Sequence, residues 1–172
     1  MLEFLYWVEE APLSVAIAGS RYMYPAILAG HGMGMAVVVG LSWAVSLRVL
    51  GVASELPLVG MTKFFPVMWV GLGVNAVTGI LLTMSAASRV LVDPVFFVKM
   101  TFVALAAVNL WLLKRELLPD DATIPTVNRA LGATILHSAG KVKIMAVASI
   151  VLWGVAITLG RLMGYTFFRF WQ

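Results

Sequence analysis

Four apolar runs, each long enough to cross a bilayer, leave this chain little choice of fold. They extend from about Tyr22 to Leu47, Phe65 to Met84, Val95 to Leu113 and Ile144 to Met163. A helix rises about 1.5 Å per residue, so about 20 apolar residues cover the roughly 30 Å of hydrocarbon in a membrane. Irregular backbone cannot face lipid, and helices are the expected form of all four runs. The sequence therefore predicts an all-α integral membrane four-helix bundle over residues 21–172. Composition agrees: 62% of the residues are hydrophobic and 12% charged, about half the charge of a soluble domain.

Residues 1–20 are different. LEFLYWVEE mixes aromatics with acids, Pro12 breaks the run, and APLSVAIAGS is too short to span. One or two short interfacial helices are expected there, with Tyr6 and Trp7 at headgroup depth. The N-terminus carries Glu3, Glu9 and Glu10 instead of a basic n-region, so it does not read as a signal peptide.

The net charge of +4 comes from basic residues at the ends of apolar runs. No basic cluster is interleaved with aromatics, which argues against nucleic-acid binding. Arg48, Lys63, Lys114, Arg115, Arg129, Lys141 and Lys143 fall on one side of the expected bundle, and Arg21, Arg89 and Arg169 flank the spans on the other. The positive-inside rule places the first side in the cytoplasm and both termini outside, in the periplasm if the chain lies in a bacterial inner membrane. The longest connection, about Lys114 to Lys143, is then cytoplasmic; it contains PDDATIPTVN and His137. Without a cysteine, the chain has no disulfides, thiolate metal sites, thiol catalysis or covalent c-type haem.

Few polar residues remain inside the spans, and each is a functional candidate. His31, in the stretch GHGMGM, lies in the outer half of span one. Tyr24 and Met35 share its helical face, whereas Met33 points elsewhere. Gly30 and Gly34, four residues apart, flatten one face, which suits either a close helix neighbour or a planar macrocycle. Lys99 sits just inside the outer end of span three, where a cation opposes the helix dipole. It either snorkels to the interface or pairs with an anionic group. Arg161 and Tyr165 lie on one face at the outer end of span four, and a guanidinium there suits a carboxylate. Asn75, Thr78 and Asn109 are expected to bond between helices, and Trp153 to fill the core.

One histidine and two cations in the outer half of an apolar bundle suit haem b. The imidazole would bind iron, and Lys99 and Arg161 would pair with propionates. His31 with Met35 offers the alternative of a Cu(I) site, since imidazole and thioether both suit that ion. No nucleophile–base pair, paired carboxylates or phosphate loop points to an autonomous enzyme.

SRYMYPAILAGH, VVVGLSWAVSLRVLG, VTGILL, FFVKMTFVALAAVN and SIVLWGVAITLGRLMGY together resemble an uncharacterised bacterial family of small four-span membrane proteins. The resemblance covers roughly residues 12 to 165 and departs in the long cytoplasmic loop. It runs in order through Tyr24-Pro25, His31, Arg48, Thr78-Gly79, Lys99, Asn109 and Gly160-Arg161. More distantly, the chain is similar to CopD-type copper-resistance proteins and to the haem-containing membrane protoporphyrinogen oxidase, which implies haem b or copper. Three functions are thus expected to compete. The chain is a haem b electron-transfer subunit, a copper-handling protein, or a non-catalytic accessory subunit. Its partners would be the lipid bilayer with other membrane or periplasmic redox subunits, or a second copy of itself.

Overall fold

The computed structural model describes residues 2–52, 61, 63–117 and 139–169, with the side chains of residues 2, 139 and 166–169 excepted. These residues form helices and turns without strands. The helices are α1 (Leu2–Glu9), α2 (Pro12–Gly19), α3 (Met23–Val49), α4 (Phe64–Met84), α5 (Ala87–Val90), α6 (Pro94–Leu117) and α7 (Ala139–Arg169). Four of them, α3, α4, α6 and α7, are long and apolar enough to cross a membrane. His137 and residues 119–128 lie outside the described residues.

Proline marks where these helices begin. α2 and α6 start on Pro12 and Pro94, and α3 and α4 carry Pro25 and Pro66 in their first turns. An amide in the first turn has no partner within the helix, so proline sacrifices nothing there. Asp93 completes the start of α6, its Oδ1 accepting from the Val95 amide at 2.8 Å, as an N-cap carboxylate does. α3 ends where Gly51 takes φ +92, a left-handed conformation that glycine reaches without strain. The last turns of α3 and α6 carry Arg48, Lys114 and Arg115, which complement the negative end of each helix dipole.

The long helices form two hairpins, α3 with α4 and α6 with α7, joined mainly where α3 meets α7. In lipid, helices gain little from hydrophobicity against one another, so close contact and interhelical hydrogen bonds decide which faces meet. The first hairpin closes on glycine. A Cβ added at Gly34 would lie 3.0 Å from the Gly71 carbonyl oxygen, and one at Gly71 would lie 3.0 Å from Val38 Cγ2. The second hairpin is tied by Asn109 Nδ2, which donates to the Met145 carbonyl at 3.0 Å. Between hairpins, the Ser42 and Ser149 hydroxyls bond at 2.8 Å, and Gly154 leaves room for Trp43.

Two apolar clusters fill the bundle. The larger joins Val45, Val49, Phe65, Met68, Leu113 and Ala146, among others, at the end far from the N-terminus. The smaller, at mid-depth, joins Val38, Val39, Ala106 and Trp153, with Met35 packed against it. The far end also carries the exposed Lys63, Lys114, Arg115, Lys141 and Lys143. There Lys141 pairs with Glu116, and Arg115 lies 4.7 Å from the centre of the Trp111 ring. The two ends are called the basic end and the N-terminal end below.

Candidate functional site

α3 and α4 together hold His31 from both sides of its backbone. Asn75 Nδ2 donates to the His31 carbonyl oxygen at 2.8 Å, which fixes the register of α3 against α4. One turn further along α4, Thr78 Oγ1 lies 3.1 Å from His31 Nδ1. The next residue is Gly79, and a Cβ there would come within 3.1 Å of His31 Cε1 and 3.5 Å of Nδ1. The imidazole therefore lies on the bare backbone of Gly79, and any larger residue at that position would have to displace the ring.

The contacts of the Thr78 hydroxyl favour one imidazole tautomer. It has a single hydrogen, and Oγ1 lies 2.7 Å from the Val74 carbonyl oxygen one turn back. That carbonyl can only accept, so the hydroxyl hydrogen goes to it. In that arrangement the hydroxyl accepts from His31, with Nδ1 as the donor. The neutral ring with its proton on Nδ1 keeps the Nε2 lone pair, and the ring also meets the Asn75 backbone carbonyl. A metal-ligating histidine is held in the same way: one nitrogen donates to a neighbour that fixes ring and tautomer, and the other faces the ion.

Lys99 reaches the same region from the second hairpin. Its stem lies along Gly160 of α7, with Cε 3.6 Å and Nζ 3.8 Å from where a Cβ would stand. The side chain is only partly exposed, and the ammonium is close enough to act electrostatically on the His31 imidazole. Among the described residues it forms no ion pair. Asp93, the nearest carboxylate in sequence, caps the α6 backbone. The two side chains are mounted alike, each lying on a glycine of the other helix in its hairpin: His31 on Gly79, Lys99 on Gly160.

The remaining residues singled out in the sequence divide into inner and outer sets. Met35 lies one turn deeper on the His31 face, against the Trp153 cluster, and forms part of the floor of the site. Gly34 is used up by the backbone of α4, and Gly30 faces the Thr78 methyl at 3.7 Å. Of the two uses open to these glycines, the structure displays the helix seam. Arg161 is exposed, Tyr24 is 41% exposed and Tyr165 73% exposed, so these three stand at the rim. Asn75 and Asn109 bond between helices as expected, and Trp153 is fully buried. Gly79 and Gly160 stood out in the sequence only as landmarks of the resemblance, because their role depends on which residue of a neighbouring helix lies opposite.

The arrangement offers one open imidazole lone pair, one half-buried cation and apolar walls. Among the described residues no three His, Cys, Asp or Glu side chains come together as a metal cage. Compared with known proteins, the chain matches no family model, no curated protein and no solved structure.

Proposed function

We propose that this chain is a haem b-binding membrane subunit that carries electrons, in which His31 Nε2 would bind the iron. The observation that carries the reading is the His31–Thr78–Val74 chain of contacts, which leaves Nε2 as the acceptor nitrogen, together with a half-buried Lys99 that forms no ion pair among the described residues. A metal bound by protein side chains alone needs three or four donors, and His31 with Met35 supplies two. A porphyrin brings four nitrogens of its own and needs one imidazole from the protein. This favours haem over copper. When bound, haem supplies a one-electron iron couple.

The residues divide the work of holding it. His31 gives the ligand nitrogen, and Thr78 holds the ring by accepting from Nδ1. Gly79 lets the ring lie close to α4. Lys99 supplies the positive charge for one propionate, and Met35 and Trp153 keep the floor apolar. Arg161, exposed at the rim, would serve a second propionate. The positive-inside rule puts the basic end in the cytoplasm, so the site lies in the periplasmic half of a bacterial inner membrane. The electron partner would be a periplasmic or membrane redox subunit, or a second copy of the chain. The distant resemblance of the sequence to the haem-containing membrane protoporphyrinogen oxidase points the same way, and that to CopD-type proteins points to copper.

The test is the visible spectrum of the purified protein, oxidised and dithionite-reduced. Near-stoichiometric Soret and α-bands in the wild type, abolished by His31→Ala, are expected. A colourless wild type rejects the reading. Copper that the wild type retains and His31→Ala loses, without haem bands, transfers the site to copper handling. If neither group is found, the accessory-subunit reading remains.

A further inference from the structure

We infer that the two hairpins have a second register along the α3–α7 seam, displaced by one helical turn, and that the change of register moves Lys99 relative to His31. Four polar side chains line the middle of this seam: Ser42 and Ser46 of α3, Ser149 and Trp153 of α7. All four are fully buried. The Ser42 and Ser149 hydroxyls bond to each other at 2.8 Å. Ser46 Oγ and Trp153 Nε1 have no hydrogen-bond partner among the described residues. Buried polar atoms are nearly always satisfied, so two orphans on either side of one bond call for a reason.

The spacing supplies it. Ser46 follows Ser42 by four residues and Trp153 follows Ser149 by four, so a rise of about 6 Å separates the members of each pair. α3 and α7 run in opposite directions. Ser46 therefore lies on the basic-end side of Ser42, and Trp153 on the N-terminal-end side of Ser149. When α7 slides one turn toward the basic end, Ser149 comes level with Ser46 and Trp153 with Ser42. An indole N–H donates and a hydroxyl accepts, so the displaced register forms two interhelical hydrogen bonds and leaves no orphan. A slide the other way brings Ser149 to Val38 and pairs none of the four. One-turn ratchets of packed helices are an established type of conformational transition.

The hairpins are built to move as units. Each is bound within itself, the first by Asn75 and the Gly34–Gly71 contact, the second by Asn109. Across the gap α4 scarcely touches α6 or α7. The sliding faces carry small side chains, Ser42 and Ser46 against Ala146, Ser149 and Ala156, all buried. Trp153 packs on Val38 and Val39 in the observed register and faces the smaller Ser42 in the displaced one. Residues 85–93 are the covalent tie between hairpins. Glu9 Oε1 accepts from the Ser88 amide and hydroxyl, each at 2.8 Å, which holds α5 to α1, so the turn at 91–92 takes up the displacement. Lys99 and Gly160 travel with the second hairpin while His31 and Gly79 stay with the first. The ammonium is thereby carried one turn deeper relative to the imidazole. A ligand that prefers one spacing of these two groups selects one register, and this holds whichever ligand binds there.

Because the chain has no cysteine, disulfide trapping reads the registers directly. Cysteine pairs are placed in the full-length protein in its membrane, oxidised with diamide, and scored by intact mass after the remaining thiols are alkylated. Ser42→Cys with Ser149→Cys reports the observed register, and Ser46→Cys with Ser149→Cys the displaced one. Val38→Cys with Ser149→Cys measures undirected motion, an equal step the other way. One turn of offset takes a pair beyond the roughly 7 Å between Cα atoms that a disulfide can span. The Ser46 pair is expected to close about tenfold faster than the Val38 pair. Adding Trp153→Phe, which removes the indole donor and keeps an aromatic ring, is expected to slow the Ser46 pair severalfold and leave the Val38 pair unchanged. A Ser46 pair that closes no faster than the Val38 pair overturns the second register, and is the result expected of a single register whose orphans bind water. A Ser46 rate indifferent to Trp153→Phe overturns the pairing of Trp153 with Ser42.

Discussion

The two halves of the bundle differ in how they hold together. At the basic end all four long helices contribute to one apolar cluster, in which Phe65, Met68 and Leu113 are shielded almost completely. At the N-terminal end the same helices contribute half-buried side chains, and the contacts are polar and individual: Asn75 to the His31 backbone, Thr78 to the His31 ring, Lys99 along Gly160. The basic half holds the helices in place, and the N-terminal half holds the candidate site. Side chains in a dense core are fixed by many small contacts. Those around His31 are fixed by a few directed ones, which leaves one nitrogen uncommitted.

The comparison can be broken most forcefully by removing volume from the basic half. Phe65→Ala is expected to cost about 3 kcal/mol or more in reversible unfolding in mixed micelles. Leu28→Ala, a truncation of a 50% exposed residue in the N-terminal half, should stay within about 0.5 kcal/mol. Equal costs would mean that the two halves are packed alike.

The glycine seam comes next. Gly34→Val drives a side chain into the α4 backbone and should destabilise by about 1–3 kcal/mol. Gly32→Val, at a position facing open space, should change stability by less than about 0.5 kcal/mol. Thermal denaturation of the two variants side by side checks the difference.

Smaller again is Asn75→Ala, which removes one interhelical hydrogen bond and should cost about 1 kcal/mol or less. Smallest in stability is His31→Ala, also expected below about 1 kcal/mol, yet it should abolish haem absorbance entirely. A large stability loss with no spectral change would show that the imidazole serves as a clasp between α3 and α4.

Hydropathy located the spans well because the bilayer imposes it residue by residue. It was less informative about their ends. α6 continues to Leu117 and α7 begins at Ala139, both beyond the apolar runs that ended at Leu113 and began at Ile144. Backbone hydrogen bonding does not stop where the hydrocarbon does. Polar residues such as Lys114, Arg115 and Lys141 extend a helix readily, here supported by Glu116 and Trp111. The four-residue α5 is too short to leave a periodic trace. Within the site, His31 and Lys99 were legible because a titratable group in hydrocarbon is conspicuous. Their supports were not: the pairing of His31 with Thr78 depends on the register of two helices, which no one-dimensional pattern records. Arg161 was expected to point inward with Lys99. It is exposed, as is Tyr165 one turn on. The bond from Glu9 to Ser88 joins two segments that carry no mutual sign in the sequence.

The contact of Gly34 with Gly71 also sets an order of birth. Both glycines belong to the first two spans, so this hairpin can zip together while the third and fourth are still being synthesised. His31 is then seated early, by residues already made, whereas Lys99 arrives with the last half of the protein. Histidine and lysine become neighbours only when the two hairpins meet, so the site is the final product of assembly, and a truncated or misassembled chain never presents it.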